Sequence, residues 1–123
     1  VVALAEQRGE RITASGAMAA NALGLTTQVP TRPVYLTSGR SRRLVLGKQE
    51  VELRHAPNWQ LALGNAKPGQ VIRALAWLGP EKAEAAASRL RTTLNSEERA
   101  ELARVAGRMP DWLAGTVSRM AHG

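Results

Sequence analysis

Apolar positions change their spacing along this chain. Between residues 34 and 54 they come in short runs: Val34-Tyr35-Leu36-Thr37 is β-branched and aromatic, while Leu44-Val45-Leu46 and Val51-Glu52-Leu53-Arg54 flank Gly47-Lys48-Gln49. Runs of this kind predict strands, and a short polar turn containing Gly predicts a hairpin. A period of two then sorts the side chains, with Leu44, Leu46, Val51 and Leu53 on a dry face and Arg43, Val45, Glu50, Glu52 and Arg54 outside. Beyond residue 69 the spacing becomes helical, because Val71, Ala74, Leu75 and Leu78 recur at i, i+3, i+4 and i+7. Gly79-Pro80 supplies a stop and a new start, and residues 80–94 collect Ala83, Ala86, Ala87, Leu90 and Leu94 on one side. Asn95 or Ser96 caps the next helix, with Glu97 and Glu98 near its positive end and Leu102, Val105 and Ala106 as its stripe. Gly107 and Pro110 interrupt it, and a last helix from 111 to about 120 turns Leu113, Val117 and Met120 inward.

Upstream of the strands, Ser15 can cap an Ala-rich helix that Gly24 ends. Small residues at that density predict a buried, closely packed helix, with a ligand site as the alternative. Residues 1–8 read as the end of a helix stopped by Gly9, and their apolar start implies a chain that begins partway through a longer protein. Residues 56–69 form an irregular connection that Trp59 and Leu61 tack to the core. The expectation is an α+β fold in one domain over 1–123. It has a helix and a three-stranded antiparallel meander in 11–56, with the meander over 33–55. Four helices in 69–123 pack mainly on the dry face of the sheet.

Composition narrows the classes. Cysteine is absent, which excludes a disulfide framework, a thiol nucleophile and thiolate metal sites and fits a cytoplasmic protein. No apolar run approaches the length of a membrane span. Phe is absent too, so the core must be built largely from 15 Leu and 21 Ala. The net charge of +7 is concentrated: residues 11–80 carry nine basic side chains against Glu50 and Glu52, whereas 81–123 carry seven against six.

Catalytic chemistry is thin. His55 and His122 have no Asp, Glu or Cys at metal-ligand spacing, and no serine elbow or glycine-rich phosphate loop occurs. No catalytic residue, cofactor or metal is therefore expected, and an enzyme such as a phosphotransferase is the least favoured class. The stronger signal is Arg40-Ser41-Arg42-Arg43 with Arg32, Lys48 and Arg54, a set that can form one ridge against nucleic-acid phosphates. With Tyr35 as the segment's single aromatic residue, base stacking is disfavoured and backbone contact remains. The same charges also suit a solvated sheet edge or an acidic protein partner.

Several strings together resemble a known family. They are Ser15-Gly16-Ala17 with Ala19-Ala20-Asn21, Leu23-Gly24-Leu25-Thr26-Thr27-Gln28-Val29-Pro30, Tyr35-Leu36-Thr37-Ser38-Gly39, the hairpin through Glu52-Leu53-Arg54, Ala74-Leu75-Ala76-Trp77-Leu78-Gly79 and Met109-Pro110-Asp111-Trp112. They are similar to the AbiEi-like antitoxins of bacterial type IV toxin–antitoxin systems, over nearly the whole chain. The resemblance implies a C-terminal domain that follows a DNA-reading winged helix, which is absent here. It further implies repression of the protein's own operon through operator DNA, and opposition to a nucleotidyltransferase-like toxin encoded next door. It carries no catalytic residues onto these positions. The alternative is a domain that binds the toxin or itself, without nucleic acid and without a membrane.

Overall fold

The computed structural model describes residues 9–29 and 31–122, with Leu46 described by its backbone alone. The helix end expected over 1–8 lies outside the described residues, as does the side chain of Leu46. The elements in chain order are β1 (Ile12–Ala14), α1 (Gly16–Ala22), β2 (Val34–Thr37), β3 (Arg42–Leu46), β4 (Gln49–His55), a single turn α2 (Asn58–Leu61), α3 (Lys67–Leu78), α4 (Pro80–Arg91), α5 (Ser96–Val105), a 3₁₀ turn (Ala106–Arg108) and α6 (Asp111–His122). The α+β class is as expected, and so are the short Ala-rich helix and the four long C-terminal helices.

The sheet is not a meander. Its order is β1-β2-β4-β3, with β1 antiparallel to β2, β2 parallel to β4, and β4 antiparallel to β3. The hairpin over β3 and β4 forms with the expected facing, since Arg43 lies opposite Glu52 and Leu44 opposite Val51. The difference lies at the exit from β2. The Thr37 hydroxyl accepts from Gly39 N at 2.9 Å, His55 Nδ1 bonds the Gly39 carbonyl oxygen at 2.8 Å, and His55 N donates to Ser41 Oγ at 2.8 Å. These bonds carry residues 38–41 across the end of β4, so β3 pairs on the far side and β4 lies between it and β2. The short strand β1 carries too few residues for a visible alternation. The side-chain amide of Asn65 occupies its backbone groups: Ala14 N donates to Asn65 Oδ1 and Asn65 Nδ2 donates to the Ile12 carbonyl oxygen, both at 3.3 Å. An amide placed this way substitutes for a ladder neighbour and joins the sheet to the loop before α3.

The helices do not pack on the dry face either. Buried residues from Ala62 to Met120 form one cluster containing no strand residue, while Ile12, Val51 and Leu53 form a separate small core with Tyr35 and Leu44 against it. Each helix's stripe is satisfied by other helices: Leu90 of α4, Leu102 of α5, and Leu113 and Val117 of α6 all meet around α3. Capping follows the sequence closely. Asn95 and Glu98 form a reciprocal capping box at α5. Gly79, at φ +86°, serves both as the end of α3 and as the start of α4.

The Ala-rich α1 is as closely packed as its small residues predict. Ala19 and Ala20 meet Ala74 of α3, and a Cβ placed on Gly16 would lie 2.6 Å from Trp77 Cβ and 2.7 Å from the Arg73 carbonyl oxygen. Gly16→Ala should therefore force α1 off α3 and cost about 1–3 kcal/mol, as overpacking does. Urea denaturation reads this, and a variant with the parent midpoint and slope would show that the seam has slack.

The α4–α6 seam carries a titratable link. Glu84 accepts from Arg119 and from the Thr116 hydroxyl, and these hydrogen bonds hold its carboxyl below the ordinary value of 4.5. An acid lowered in the folded state adds stability above its unfolded pKa and loses it as pH falls through the folded value. Glu84→Gln should flatten the loss of thermal stability below about pH 4.5. Parallel melting curves for parent and variant across pH 3–6 would count against that link.

Candidate functional site

The charged sheet face and the hairpin tip carry the expected cations, but they are not one ridge. Register alternation places Arg42 opposite Leu53 and Arg43 opposite Glu52, so the two arginines point to opposite faces of β3. Arg42 turns toward the small sheet core, where its Nη2 donates to both oxygens of Glu10 at 2.9 Å. Thr37 Oγ1 donates to the same carboxylate at 2.8 Å. Both members of the Arg42–Glu10 pair are about four-fifths covered (18 and 19 % exposed side chains), which ties this arginine to the fold. Arg40 is exposed in the crossover loop at the far end of the hairpin from Lys48. Arg54 bonds Glu52 two residues before it on the same strand, at 2.9 Å.

Three of the six are brought together. Arg32 and Arg43 both reach Glu50, at 3.2 and 3.4 Å, and a groove of about 470 Å³ is lined by Arg32, Lys48 and Glu50 with Thr31, Pro33 and Gln49. Three cations around one carboxylate leave two surplus charges at the hairpin tip. These pairs are solvent-exposed, so each is worth well under about 1 kcal/mol and a phosphate can displace the carboxylate at little cost. Arg40 and Lys48 enter no ion pair among the described residues.

Spacing alone does not single out a second feature. Arg73 lies on α3 and is only 1 % exposed. Its Nη1 donates to the Gln60 carbonyl oxygen at 3.2 Å and its Nη2 to that of Gly64 at 2.8 Å, while its Nε has no partner. No carboxylate pairs with it among the described residues, and burial pushes its pKa down to about 10, so it is charged at neutral pH. A signal was present in Val71-Ile72-Arg73-Ala74-Leu75, where one cation interrupts an apolar run. Arg73 borders a cleft of about 380 Å³ between α1, α3 and the charged sheet face, whose wall includes Arg54, Gln60, Ser15 and Trp77. Gly16 and Ala17 also line it, so the Ala-rich helix is both a packing element and one side of a cavity.

Among the described residues no three acidic or His side chains gather as metal ligands, and no helix is long and apolar enough to cross a membrane. His55 serves the crossover loop and His122 ends α6.

Fold and surface thus define a small α+β domain with a cationic hairpin tip and a buried-arginine cleft. The chain belongs to DUF6088, a family of unknown function, whose model matches residues 1–102 and so takes in the whole sheet, the cleft and most of α5 but not α6. No curated protein and no solved structure matches it.

Glu50 is the carboxylate that restrains the tip. Glu50→Gln should free Arg32 and Arg43 and delay elution from a heparin column to higher salt. Unchanged elution would show that the tip is not the chain's principal polyanion contact.

Proposed function

We propose that this chain is a binding module, not an enzyme, of a bacterial antitoxin and autoregulator of the AbiEi-like kind. In this reading it acts in the cytoplasm, opposes a nucleotidyltransferase-like toxin and supports repression of its own operon by touching the phosphate backbone of operator DNA. One observation carries the nucleic-acid part: Arg32, Arg43 and Lys48 converge at the hairpin tip around Glu50. Exposed cations at and beside the hairpin turn reach phosphates without base stacking, which suits a segment with Tyr35 as its single aromatic. The antitoxin part is supported by the sequence resemblance over the same segments. Arg42 and Arg54 contribute less here, one being held by Glu10 and the other lying at the cleft.

One observation favours a protein partner instead. Val45 is 72 % exposed on β3, an edge strand, where a second chain can add a strand. The exposed large apolar residues among those described are Val29, Val45 and Trp77; Trp77 lies on α3 and none lies on α4, α5 or α6.

The paired reversal Arg32→Glu/Arg43→Glu tests the first reading by fluorescence anisotropy on duplex DNA at several salt concentrations. Affinity should fall at least tenfold and the log–log salt slope should shrink by about two. A slope equal to the parent's would remove the tip from nucleic-acid contact. Loss of growth rescue in cells expressing a nucleotidyltransferase-like toxin would tie that contact to antitoxicity, and full rescue would separate the two.

A further inference from the structure

The Arg73 cleft holds a charge that the hairpin tip does not explain. A guanidinium with almost no exposure normally faces a carboxylate, because burying an uncompensated charge is among the costliest arrangements a fold can hold. Here the charge meets two carbonyl oxygens and keeps one N–H unused. Around it the wall is cationic or neutral: Arg54 comes from β4, Ser15 and Gln60 add polar groups, and no Asp or Glu among the described residues lines the space. Glu52, which holds Arg54, stands outside that wall. The cleft therefore carries one buried cation with no carboxylate, next to an arginine whose carboxylate partner lies outside the wall, and such an excess of positive charge draws in anions.

The remaining lining is apolar. Val34 and Leu36 extend from β2, and Trp77 of α3 borders the cleft while 43 % exposed, an unusual degree for so large an aromatic residue. A volume of about 380 Å³ is in the range of small-ligand sites. Two guanidinium groups match the charge and geometry of a phosphate dianion better than a single carboxylate, and an indole beside them suits a planar ring.

We propose that the cleft between α1, α3 and the charged sheet face binds a phosphomonoester carrying a flat ring, of the nucleoside monophosphate class. Its phosphate is neutralised by Arg54 and the buried Arg73, and its ring rests against Trp77. This site is separate from the hairpin tip and does not depend on the antitoxin reading. It also accounts for a buried charge that packing alone does not require.

The probes are adenosine monophosphate, adenosine and inorganic phosphate, titrated into the whole chain by calorimetry and by the indole N–H resonance of Trp77. The monophosphate should bind at least tenfold more tightly than either of the others and shift the Trp77 signal. Arg54→Ala and Trp77→Ala, both at exposed positions, should each weaken it about tenfold, with melting temperatures near the parent's. Arg73→Met should abolish binding, but it also strips two carbonyls of their donor, so the other two variants decide the outcome. Arg32→Glu/Arg43→Glu should leave monophosphate binding unchanged. Equal affinity for all three probes, no binding at millimolar concentration, or binding lost in the hairpin-tip variant but kept in Arg54→Ala would each overturn the assignment. Arg73 would then be only a brace for the loop before α3.

Discussion

The molecule is organised around one helix that has no solvent-facing side over its central turn. Val71, Ile72, Arg73, Ala74 and Leu75 of α3 are all buried, which an amphipathic surface helix cannot achieve. The cover comes from both directions. α1 lies against it through Gly16, Ala19 and Ala20, and α4, α5 and α6 bring Leu90, Leu102, Leu113 and Val117 to its other side. Because that position leaves no room for a solvated cation, Arg73 must find oxygen atoms inside the protein. It takes them from Gln60 and Gly64, and so fixes the loop whose Asn65 holds β1. A single buried guanidinium thus connects the helical cluster to the sheet.

The sheet obeys a different constraint. With three-residue β1 at one side and β3 at the other, it has little apolar surface of its own, and its small core is closed by polar links at the crossover. The Glu10 carboxylate gathers Thr37 and Arg42, while His55 and Ser41 hold residues 38–41 over the end of β4. These bonds take Arg42 and His55 out of the pool of surface chemistry. What remains outside is the hairpin tip, where charge is only loosely compensated, and the cleft, where Arg54 pairs with Glu52 and Arg73 meets only carbonyl dipoles.

Those two places divide the functional question. An exposed set of cations suits long-range attraction to a polyanion and little discrimination. A buried guanidinium in a cleft that Trp77 also borders suits the opposite purpose, since desolvated contacts weaken sharply when a ligand's shape or charge is wrong. The family match spans both places, and it ends before α6, whose Leu113, Val117 and Met120 complete the helical core.

Local rules settled much of this protein in advance. Helix boundaries followed from Ser15, Gly79, Pro80, Asn95 and Pro110, because capping and chain-breaking act within a few residues. The inward faces of α4, α5 and α6 and the facing of the hairpin followed from periodicity, which needs no knowledge of the partner, whereas in α3 Ile72 and Arg73 are buried outside the predicted stripe. Strand order did not follow, because whether β2 pairs with β3 or with β4 depends on hydrogen bonds from Thr37, Ser41 and His55 that form only when distant backbone is already in place. Nor did the fate of the charges. Six cations close in sequence could be read as one ridge, but alternation across β3 separates Arg42 from Arg43, and Glu10, from outside the hairpin, takes Arg42. Arg73 looked like one more basic residue on a helix until packing closed over it. Spacing determines which side chains share an element's face; only tertiary packing determines which of them keep water and which must find another partner.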